Sequence, residues 1–487
     1  MAGAPYSEDH GEVQGFNEKI MSGSSLMIER LGKNAKFVVL ESWRPQAELL
    51  KRIRKEKPDH VAVTVYDEEL ELAKKFIEGI RKASPQTKID VGGPMPTNNA
   101  LFCAYYLNAD SVFAGNAVKP YDEYLRITNS GLPVSKIVKK LAGIRSGVFR
   151  LGENREKLVG NRPTKPAWLT QAEVDSEMKT DSLVKAMDED VLHIFTSFGC
   201  PSRKQGCRCV FCSMHFKAAV AMSGKRIVEE LKKVVLASGK GKIRVVFDDD
   251  DFLVDRNRTL EFLKDFRKFG LHKKVRFSFM TNPASLLLNG EIDYELINEL
   301  EKANWGHVQF GTESFSEIER DRLGKPSITN EKLEELIRIL DERAIGQGHF
   351  NIISNPRTTL DSLRDNLENA NRIIDKYKTV RIGIPYPGLF AVEGSLFGNR
   401  IAADAIKDPK YLEAFYFAKT PYGFVTHLKP ALYLNKEFGK FYEYHTQKVS
   451  ELPKKQIQQL KLHHNLRMKL LLKHLEEFAP KIQGAAT

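Results

Sequence analysis

The sequence predicts an α/β protein with two sheet-containing domains and a mostly helical C-terminal domain. Short β-rich runs alternate with helical patterns of roughly 10–15 residues, first in the N-terminal third of the chain and again over residues 187–390. Such alternation is typical of parallel sheets whose strands are joined by helices. The first series predicts a doubly wound, Rossmann-like sheet. The six βα units of the second series predict a partial (β/α)6 barrel.

The first series follows an extension over residues 1–34 with few periodic apolar positions. Four apolar runs predict buried strands, and each is followed by an amphipathic helix. The predicted strands are 36–40, 59–66, 88–93 and 110–114, and the helices are 46–55, 68–82, 98–107 and 120–128. We therefore expect a Rossmann-like domain over 35–150. Periodicity weakens from about residue 130, and 151–186 is predicted to be a connector.

The second series forms the predicted barrel over residues 187–390, and chemistry in such barrels lies at the carboxyl ends of the strands. The C-terminal domain, 391–487, contains a basic amphipathic segment over 454–478 that predicts a covering helix. The predicted barrel strands are 194–197, 244–247, 275–280, 307–310, 349–353 and 379–384, and the helices between them include 226–238, 260–269, 294–303 and 331–343.

Composition narrows the function classes. The chain has 487 residues, 42% of them hydrophobic and 28% charged, which is ordinary for a soluble globular protein. No apolar run reaches about 18 residues, so we expect no transmembrane segment. The polar, acidic start is unlike a secretory signal. The net charge of +12 indicates either a lysine-rich surface or an anionic partner. Because no aromatic–basic recognition motif occurs, we expect no stable nucleic-acid partner.

Four of the five cysteines lie in one segment, from Cys200 to Cys212, directly after an apolar run that predicts a strand. Clustered cysteines without a scattered disulfide framework indicate a reducing, cytoplasmic setting. Zinc ribbons usually carry two Cys-x-x-Cys knuckles, whereas this segment has one, Cys209–Cys212. The pattern therefore favours an iron–sulfur cluster over zinc or unliganded cysteines. Three thiolates around a four-iron cluster would leave one iron open to a further ligand.

The cysteine segment resembles the cluster loop of the radical S-adenosylmethionine (SAM) superfamily, Cys-x3-Cys-x-aromatic-Cys. Cys209, Phe211 and Cys212 match the end of that pattern, and Cys200 matches the first ligand in its position along the fold. The resemblance implies Cys200, Cys209 and Cys212 as ligands of a [4Fe-4S] cluster, with Phe211 near the adenine of SAM. Eight residues instead of three separate the first two ligands. Cys207 is therefore left open as a substitute ligand, a free thiol, or a redox or proton donor.

Polar residues after later strands carry the same resemblance. The run Val245–Phe252 contains four consecutive aspartates after a buried strand, at the position where the family meets the SAM amine. A solvated acidic turn or a magnesium site is the alternative. The segment Phe310–Ser314 resembles the end of the family's fourth strand. The implied SAM-binding residues, besides Phe211, are Asp249, Asp250, Asn282, Glu313 and Ser314.

The N-terminal domain resembles the cobalamin-binding domain of one branch of this superfamily. The segments that carry the resemblance are Asp90–Thr97 and Asp110–Ala117, whose glycines let the backbone pass close to a large flat ligand. An ordinary Rossmann-like module is the alternative. No Asp-x-His-x-x-Gly motif occurs, so the resemblance implies no histidine ligand on the lower face of cobalamin. The implied cobalamin-binding residues are Gly92, Gly93, Pro94, Thr97 and Gly115.

Together, these resemblances imply a cobalamin-dependent radical SAM C-methyltransferase. In that branch one SAM methylates cob(I)alamin, and a second SAM is cleaved to methionine and a 5′-deoxyadenosyl radical. The radical removes hydrogen from an unactivated carbon, which then takes the methyl group of methylcobalamin, while the protein positions the cofactors. Candidate catalytic residues are Cys207, His215 and Tyr386.

Other functions stay open at this point. The alternatives are a non-methylating member that performs cyclisation or ring rearrangement, a plain radical SAM enzyme, and a basic nucleic-acid-binding metalloprotein. The expected partners are a reductant such as ferredoxin or flavodoxin and a substrate of unknown class, whether a small molecule, lipid, tetrapyrrole, peptide or protein. The expected location is the cytoplasm.

Overall fold

The computed structural model groups the residues that it describes into two compact units. The first contains residues 46–160 and 391–429, and the second contains 191–390 and 431–483. The described residues are 46–151, 157–160, 191–200, 209–213, 220–253, 255–325, 328–383, 390–391, 395–407, 415–421, 423–429, 431–432 and 436–483. The predicted strand 36–40 lies outside this set.

The first unit is built on a five-stranded sheet in the order β1-β2-β3-β4-β5. The first three strands are parallel, as predicted, because helices connect them. The remaining strands pair antiparallel and extend the sheet. The strands are β1 His60–Thr64, β2 Lys88–Gly92, β3 Ser111–Phe113, β4 Gly147–Leu151 and β5 Lys157–Val159, and the helices are α1 Gln46–Glu56, α2 Leu70–Ala83, α3 Pro94–Tyr106, α4 Val118–Thr128 and α5 Val134–Leu141.

The antiparallel extension was missed from the sequence, where periodicity weakened from about residue 130. It is fixed by aromatic packing between distant segments. The rings of Tyr124 and Phe149 stack with centroids 5.3 Å apart, and Phe113 meets Phe149 edge-on at 5.7 Å. Both phenylalanines are buried. Strands β4 and β5 have only five and three residues, too few to show a clear alternation of apolar and polar positions. Their pairing depends instead on packing against this aromatic cluster.

The second unit contains the predicted six-stranded parallel sheet, in the order β15-β14-β13-β10-β9-β6. Every neighbouring pair in it is parallel. The six strands of the sheet are β6 Val191–Ile194, β9 Ile243–Phe247, β10 Val275–Thr281, β13 Trp305–Glu313, β14 Gly346–Asn351 and β15 Val380–Gly383. Two short antiparallel pairs lie outside it, β7 Ser197–Phe198 with β8 Val220–Ala221 and β11 Leu287–Leu288 with β12 Glu291–Ile292. The helices are α6 Gly224–Ser238, α7 Arg256–Lys268, α8 Tyr294–Lys302, α9 Glu317–Arg322, α10 Asn330–Glu342 and α11 Leu360–Lys376.

Residues after 390 divide between the two units, although the sequence suggested one C-terminal domain. A β-hairpin joins the first unit, where His427 pairs with Asp67 at 2.9 Å and Asn99 donates to the Thr426 carbonyl at 2.9 Å. The last helix joins the second unit, where Met468 and Leu475 are buried. The elements are β16 Phe390–Ala391, α12 Leu396–Lys407, β17 Phe415–Thr420, β18 Gly423–Leu428, β19 Ala431–Leu432, α13 Lys436–Ser450, α14 Lys454–Leu462 and α15 His464–Gln483.

No helix among the described residues is long and apolar enough to cross a membrane. This agrees with the absence of a long apolar run in the sequence.

We predict that Gly93→Ala destabilises the first unit, whereas Gly92→Ala does not. Gly93 has φ +108°, and an added Cβ would lie 2.9 Å from the Val65 carbonyl oxygen and from the Thr64 methyl group. Such a backbone conformation costs a non-glycine residue about 1–3 kcal/mol. An added Cβ at Gly92 would meet nothing within 4 Å. Thermal unfolding of the two cofactor-free variants measures the difference, and equal midpoints would contradict it.

Candidate functional site

The cysteine loop starts at the carboxyl end of β6 and is closed at its base by a short ribbon. Strand β7 pairs antiparallel with β8, and the Met222 amide donates to the Thr196 carbonyl at 2.8 Å. The two ends of the loop, at Phe198 and Val220, are therefore held side by side. The loop lies at the end of the sheet where barrel chemistry is expected.

The predicted ligands Cys200, Cys209 and Cys212 are half-buried and form no disulfide. A turn brings the last two close, since the Cys212 amide donates to the Cys209 carbonyl at 3.2 Å. Burial raises the pKa of the Cys209 thiol to about 11, the positive charge of Lys325 lowers it, and the Cys212 and Cys200 thiols raise it further. The Cys209 thiol therefore lies within electrostatic range of the other two.

The donor set fits an iron–sulfur cluster better than a single metal ion. Within the described part of the chain, no three His, Cys, Asp or Glu side chains converge closely enough to hold one ion. A four-iron cluster accepts thiolates that stand farther apart, because its irons and sulfides occupy the space between them. Thiolates are the ligands that such clusters prefer. Cys207 and His215, which belong to the same segment of sequence, lie outside the described residues, as does Tyr386.

Asp249 is fully buried beneath the loop and bonds to the end of β6. Its carboxylate accepts hydrogen bonds from the Thr196 amide at 2.5 Å, the Thr196 hydroxyl at 2.5 Å and the Ser197 amide at 2.8 Å. The Arg258 guanidinium lies 3.8 Å away. Burial raises the pKa of Asp249, while Arg258 and the bonds from Thr196 lower it.

Arg258 connects both ends of the cysteine loop to the segment after β9. Its guanidinium donates to the carbonyls of Thr196 at 3.2 Å, Met222 at 2.7 Å and Phe252 at 3.2 Å. These acceptors belong to three separate segments of chain. Because the guanidinium presents its donors in a rigid plane, their relative positions are fixed. Arg258 and Asp249 together form the foundation of the loop.

The next two aspartates differ in accessibility. Asp251 is buried and accepts hydrogen bonds from the hydroxyls of Thr281 at 2.5 Å and Ser285 at 2.9 Å. Asp250 reaches solvent and accepts the Gly199 amide at 3.2 Å, one residue before Cys200. Protein atoms around the Asp250 carboxyl raise its pKa to about 6, against the lowering effect of the Gly199 amide. Of these three aspartates, Asp250 is the one that a ligand at the loop could reach.

The remaining predicted SAM residues lie at the ends of β10 and β13. Asn282 is half-buried, and its side-chain oxygen accepts the Ala284 amide at 2.9 Å. Ser314 is fully buried and accepts the Ser316 amide at 3.1 Å. Glu313 is half-buried, and its backbone has φ +62°, a strained value for a residue that is not glycine.

Lys325 is part of the site and was not anticipated from the sequence. Its ammonium pairs with Glu313 at 3.2 Å and lies 5.8 Å from the centre of the Phe211 ring. Burial acts to lower the pKa of Lys325, but Glu313, Cys209 and Cys200 outweigh it and raise the pKa. The lysine stands about 115 residues from the cysteines in sequence, in a segment without a recognisable motif, so no sequence signal pointed to it.

The predicted cobalamin residues lie at the carboxyl ends of β2 and β3. The Thr97 hydroxyl donates to the Gly93 carbonyl at 2.7 Å and accepts the Gly115 amide at 2.9 Å, so it joins the two glycine turns. Gly93 and Gly115 both have positive φ, at +108° and +80°. A Cβ added at Gly92 would meet no atom within 4 Å, so the space beside this glycine is open. Open backbone at this edge of a parallel sheet fits a large flat ligand.

Family models match both halves of this arrangement. The B12 binding domain model matches residues 25–125, and the Radical SAM superfamily model matches residues 194–383. This chain is a B12-binding radical SAM protein. The two matches confirm the predicted cofactor classes, which are cobalamin for the first domain and SAM with a [4Fe-4S] cluster for the second. No curated protein matches the sequence.

Solved structures share the fold of the B12-binding radical SAM protein. The cobalamin-dependent S-adenosylmethionine radical enzyme OxsB, with aqua-cobalamin and SAM bound, aligns with TM-score 0.60 and 16% identity over 80% of this chain and 59% of that chain. A second OxsB structure, with aqua-cobalamin bound, aligns with TM-score 0.65 and 15% identity over 94% of this chain and 70% of that chain. The radical SAM methyltransferase TsrM from Kitasatospora setae, with tryptophan substrate and a SAM analogue bound, aligns with TM-score 0.58 and 15% identity. The alignment covers 79% of this chain and 73% of that chain. At these identities the matches show the fold.

We predict that Asp249→Asn prevents cluster assembly and lowers stability, whereas Asp250→Asn does neither. Removing one partner of a buried ion pair costs about 3–5 kcal/mol, because the remaining charge stays buried. Asp250 is accessible, so its neutral variant should fold and bind iron normally. Iron per chain after anaerobic reconstitution and the unfolding midpoint of the cofactor-free protein are the measurements. Equal iron content in the two variants would contradict the prediction.

Proposed function

We propose that the chain is a cobalamin-dependent radical SAM C-methyltransferase that acts on an unactivated carbon. The observation that carries the proposal is the set of three thiols at the carboxyl end of β6, beside an accessible carboxylate, in a chain that also has a B12-binding domain. The TsrM likeness supports methyl transfer, since that structure is of a methyltransferase.

In this proposal Cys200, Cys209 and Cys212 hold the cluster and leave one iron open. When bound, the cluster supplies the electron that cleaves SAM, and cobalamin carries the methyl group. The chain's own contribution is positional. Asp249 and Arg258 hold the two ends of the loop, so the thiols are presented in a fixed arrangement before the cofactors bind.

Asp250 is our candidate for the SAM ammonium, because its carboxylate is accessible and adjacent to the loop. Asn282 is the candidate for the ribose hydroxyls, and Phe211 for the adenine. Asp249 and Ser314 are buried and already hydrogen-bonded, so we assign them positioning roles. Glu313 acts through Lys325.

Thr97 organises the proposed cobalamin site by joining the turns at Gly93 and Gly115. Gly92 leaves room for the corrin, and Pro94 starts the helix that follows. We propose a low-potential electron donor such as ferredoxin or flavodoxin as the partner, and the cytoplasm as the location. The substrate is a small molecule, lipid, tetrapyrrole, peptide or protein.

The test is product analysis on anaerobically purified protein with about one cobalamin per chain. We expect S-adenosylhomocysteine and 5′-deoxyadenosine, both formed from SAM under a strong one-electron reductant. The first product should depend on cobalamin. Cys212→Ala should lose 5′-deoxyadenosine formation, because the cluster loses a ligand. The surface variant Asp361→Asn is the control.

The outcomes separate the alternatives. Formation of 5′-deoxyadenosine alone would favour a non-methylating enzyme that cyclises or rearranges its substrate. Absence of cobalt from folded, iron-loaded protein would leave a plain radical SAM enzyme. Cleavage of SAM by Cys212→Ala would overturn the cluster assignment. Salt-dependent nucleic-acid binding without either product would favour the nucleic-acid-binding alternative.

We also predict a pH dependence of SAM binding. The surrounding protein atoms partly desolvate the accessible Asp250 carboxyl and raise its pKa to about 6, so it is mostly ionised above pH 6 and mostly neutral below it. If it binds the SAM ammonium, affinity for SAM should rise as the pH increases through about 6 and then level off. Asp250→Asn should bind weakly throughout and lose this rise. Equilibrium dialysis with the oxidised protein measures the affinity for SAM at each pH. A pH profile of Asp250→Asn that matched the wild type would contradict the assignment of Asp250 to the SAM ammonium.

A further inference from the structure

We propose that Lys325, held in place by Glu313, is a positioning residue that sets the reduction potential of the cluster bound by Cys200, Cys209 and Cys212. The inference rests on the proposed cluster site. It states what Lys325 does at that site and how Glu313 acts through it.

The pair is enclosed and fixed. The side chains of Lys325 and Glu313 are 11% and 12% exposed, and their charged atoms lie 3.2 Å apart. A cation this enclosed loses most of its hydration, so its field is screened less than that of a surface lysine. The carboxylate compensates the lysine at short range, and the Cys209 and Cys200 thiols lie within electrostatic range of the ammonium.

The backbone ties the lysine to the cysteine loop. The Val210 amide, one residue after Cys209, donates to the Leu323 carbonyl at 3.0 Å, two residues before Lys325. The loop and the lysine segment are therefore joined by a direct hydrogen bond. The Lys325 ammonium also faces the ring of Phe211 at 5.8 Å, an additional attraction for a cation.

Space for the ammonium comes from a glycine in β13. A Cβ added at Gly311 would lie 3.0 Å from the Lys325 ammonium nitrogen and 3.2 Å from a Glu313 oxygen. Any side chain there would crowd the pair. A register shift between Phe310 and Glu313 and the positive φ of Glu313 interrupt the regular strand where the pair forms.

The sign of the effect follows from charge. The oxidised cluster takes one electron from a low-potential donor, so the thiolate-bound cluster becomes more negative by one charge. A nearby fixed cation stabilises that added charge and makes reduction easier. The Glu313 carboxylate opposes it. Lys325 therefore raises the reduction potential, and Glu313 limits the increase.

The experiment is a redox titration of the cluster, followed by electron paramagnetic resonance, in SAM-free protein of verified iron and sulfide content. Lys325→Gln should lower the ratio of reduced to oxidised cluster at a fixed potential about tenfold, which is about 59 mV for one electron. Lys325→Arg should keep the wild-type potential. Lys332→Gln is the matched control, because Lys332 also pairs with a glutamate, Glu291 at 2.6 Å, but outside the site.

The direction in which Glu313→Gln shifts the reduction potential of the cluster decides the test. Removing the carboxylate should shift the potential upward, opposite to Lys325→Gln. General loosening of the loop would move both variants in the same direction, and that result would overturn the inference. So would an unchanged potential in Lys325→Gln. A wild-type protein without a cluster would instead refute the proposed function, so the two failures are distinguishable.

Discussion

The buried contact between Asp249 and Arg258 is the constraint on which the site depends. The aspartate binds the end of β6, and the arginine binds the carbonyls of Thr196 and Met222, one at each end of the cysteine loop. A buried ion pair brings little net stability, since both charges lose their hydration. Its value here is geometric. It fixes where the long cysteine loop begins and ends.

The charged side chains around the thiols of this loop differ in sign and in accessibility. Asp249 and Asp251 are buried and engaged with the scaffold, whereas Asp250 is accessible beside Gly199. Lys325 supplies a positive charge where the three thiols would otherwise accumulate negative charge. A site that binds a cationic ligand and an anionic cluster needs carboxylates and an ammonium in separate positions. The rigid sheet ends provide that separation.

The two units use the same structural principle with different residues. In each, strands end in tight turns, and a polar side chain joins neighbouring turns. Thr97 does this between the turns of Gly93 and Gly115, and Asp249 does it beneath the cysteine loop. Parallel strands leave unpaired backbone groups at their carboxyl ends, which suits the binding of large cofactors.

The sequence by itself determined the strand–helix alternation, the clustering of the cysteines after β6 and the positions of the glycine turns, because these signals are local in the chain. Tertiary structure alone decided which aspartate is accessible, that Lys325 reaches the cysteine loop, and that the hairpin of β17 and β18 joins the first unit through His427. Four adjacent aspartates look equivalent in sequence. Their burial differs because each meets partners from other strands, and contacts between distant segments have no local pattern to reveal them.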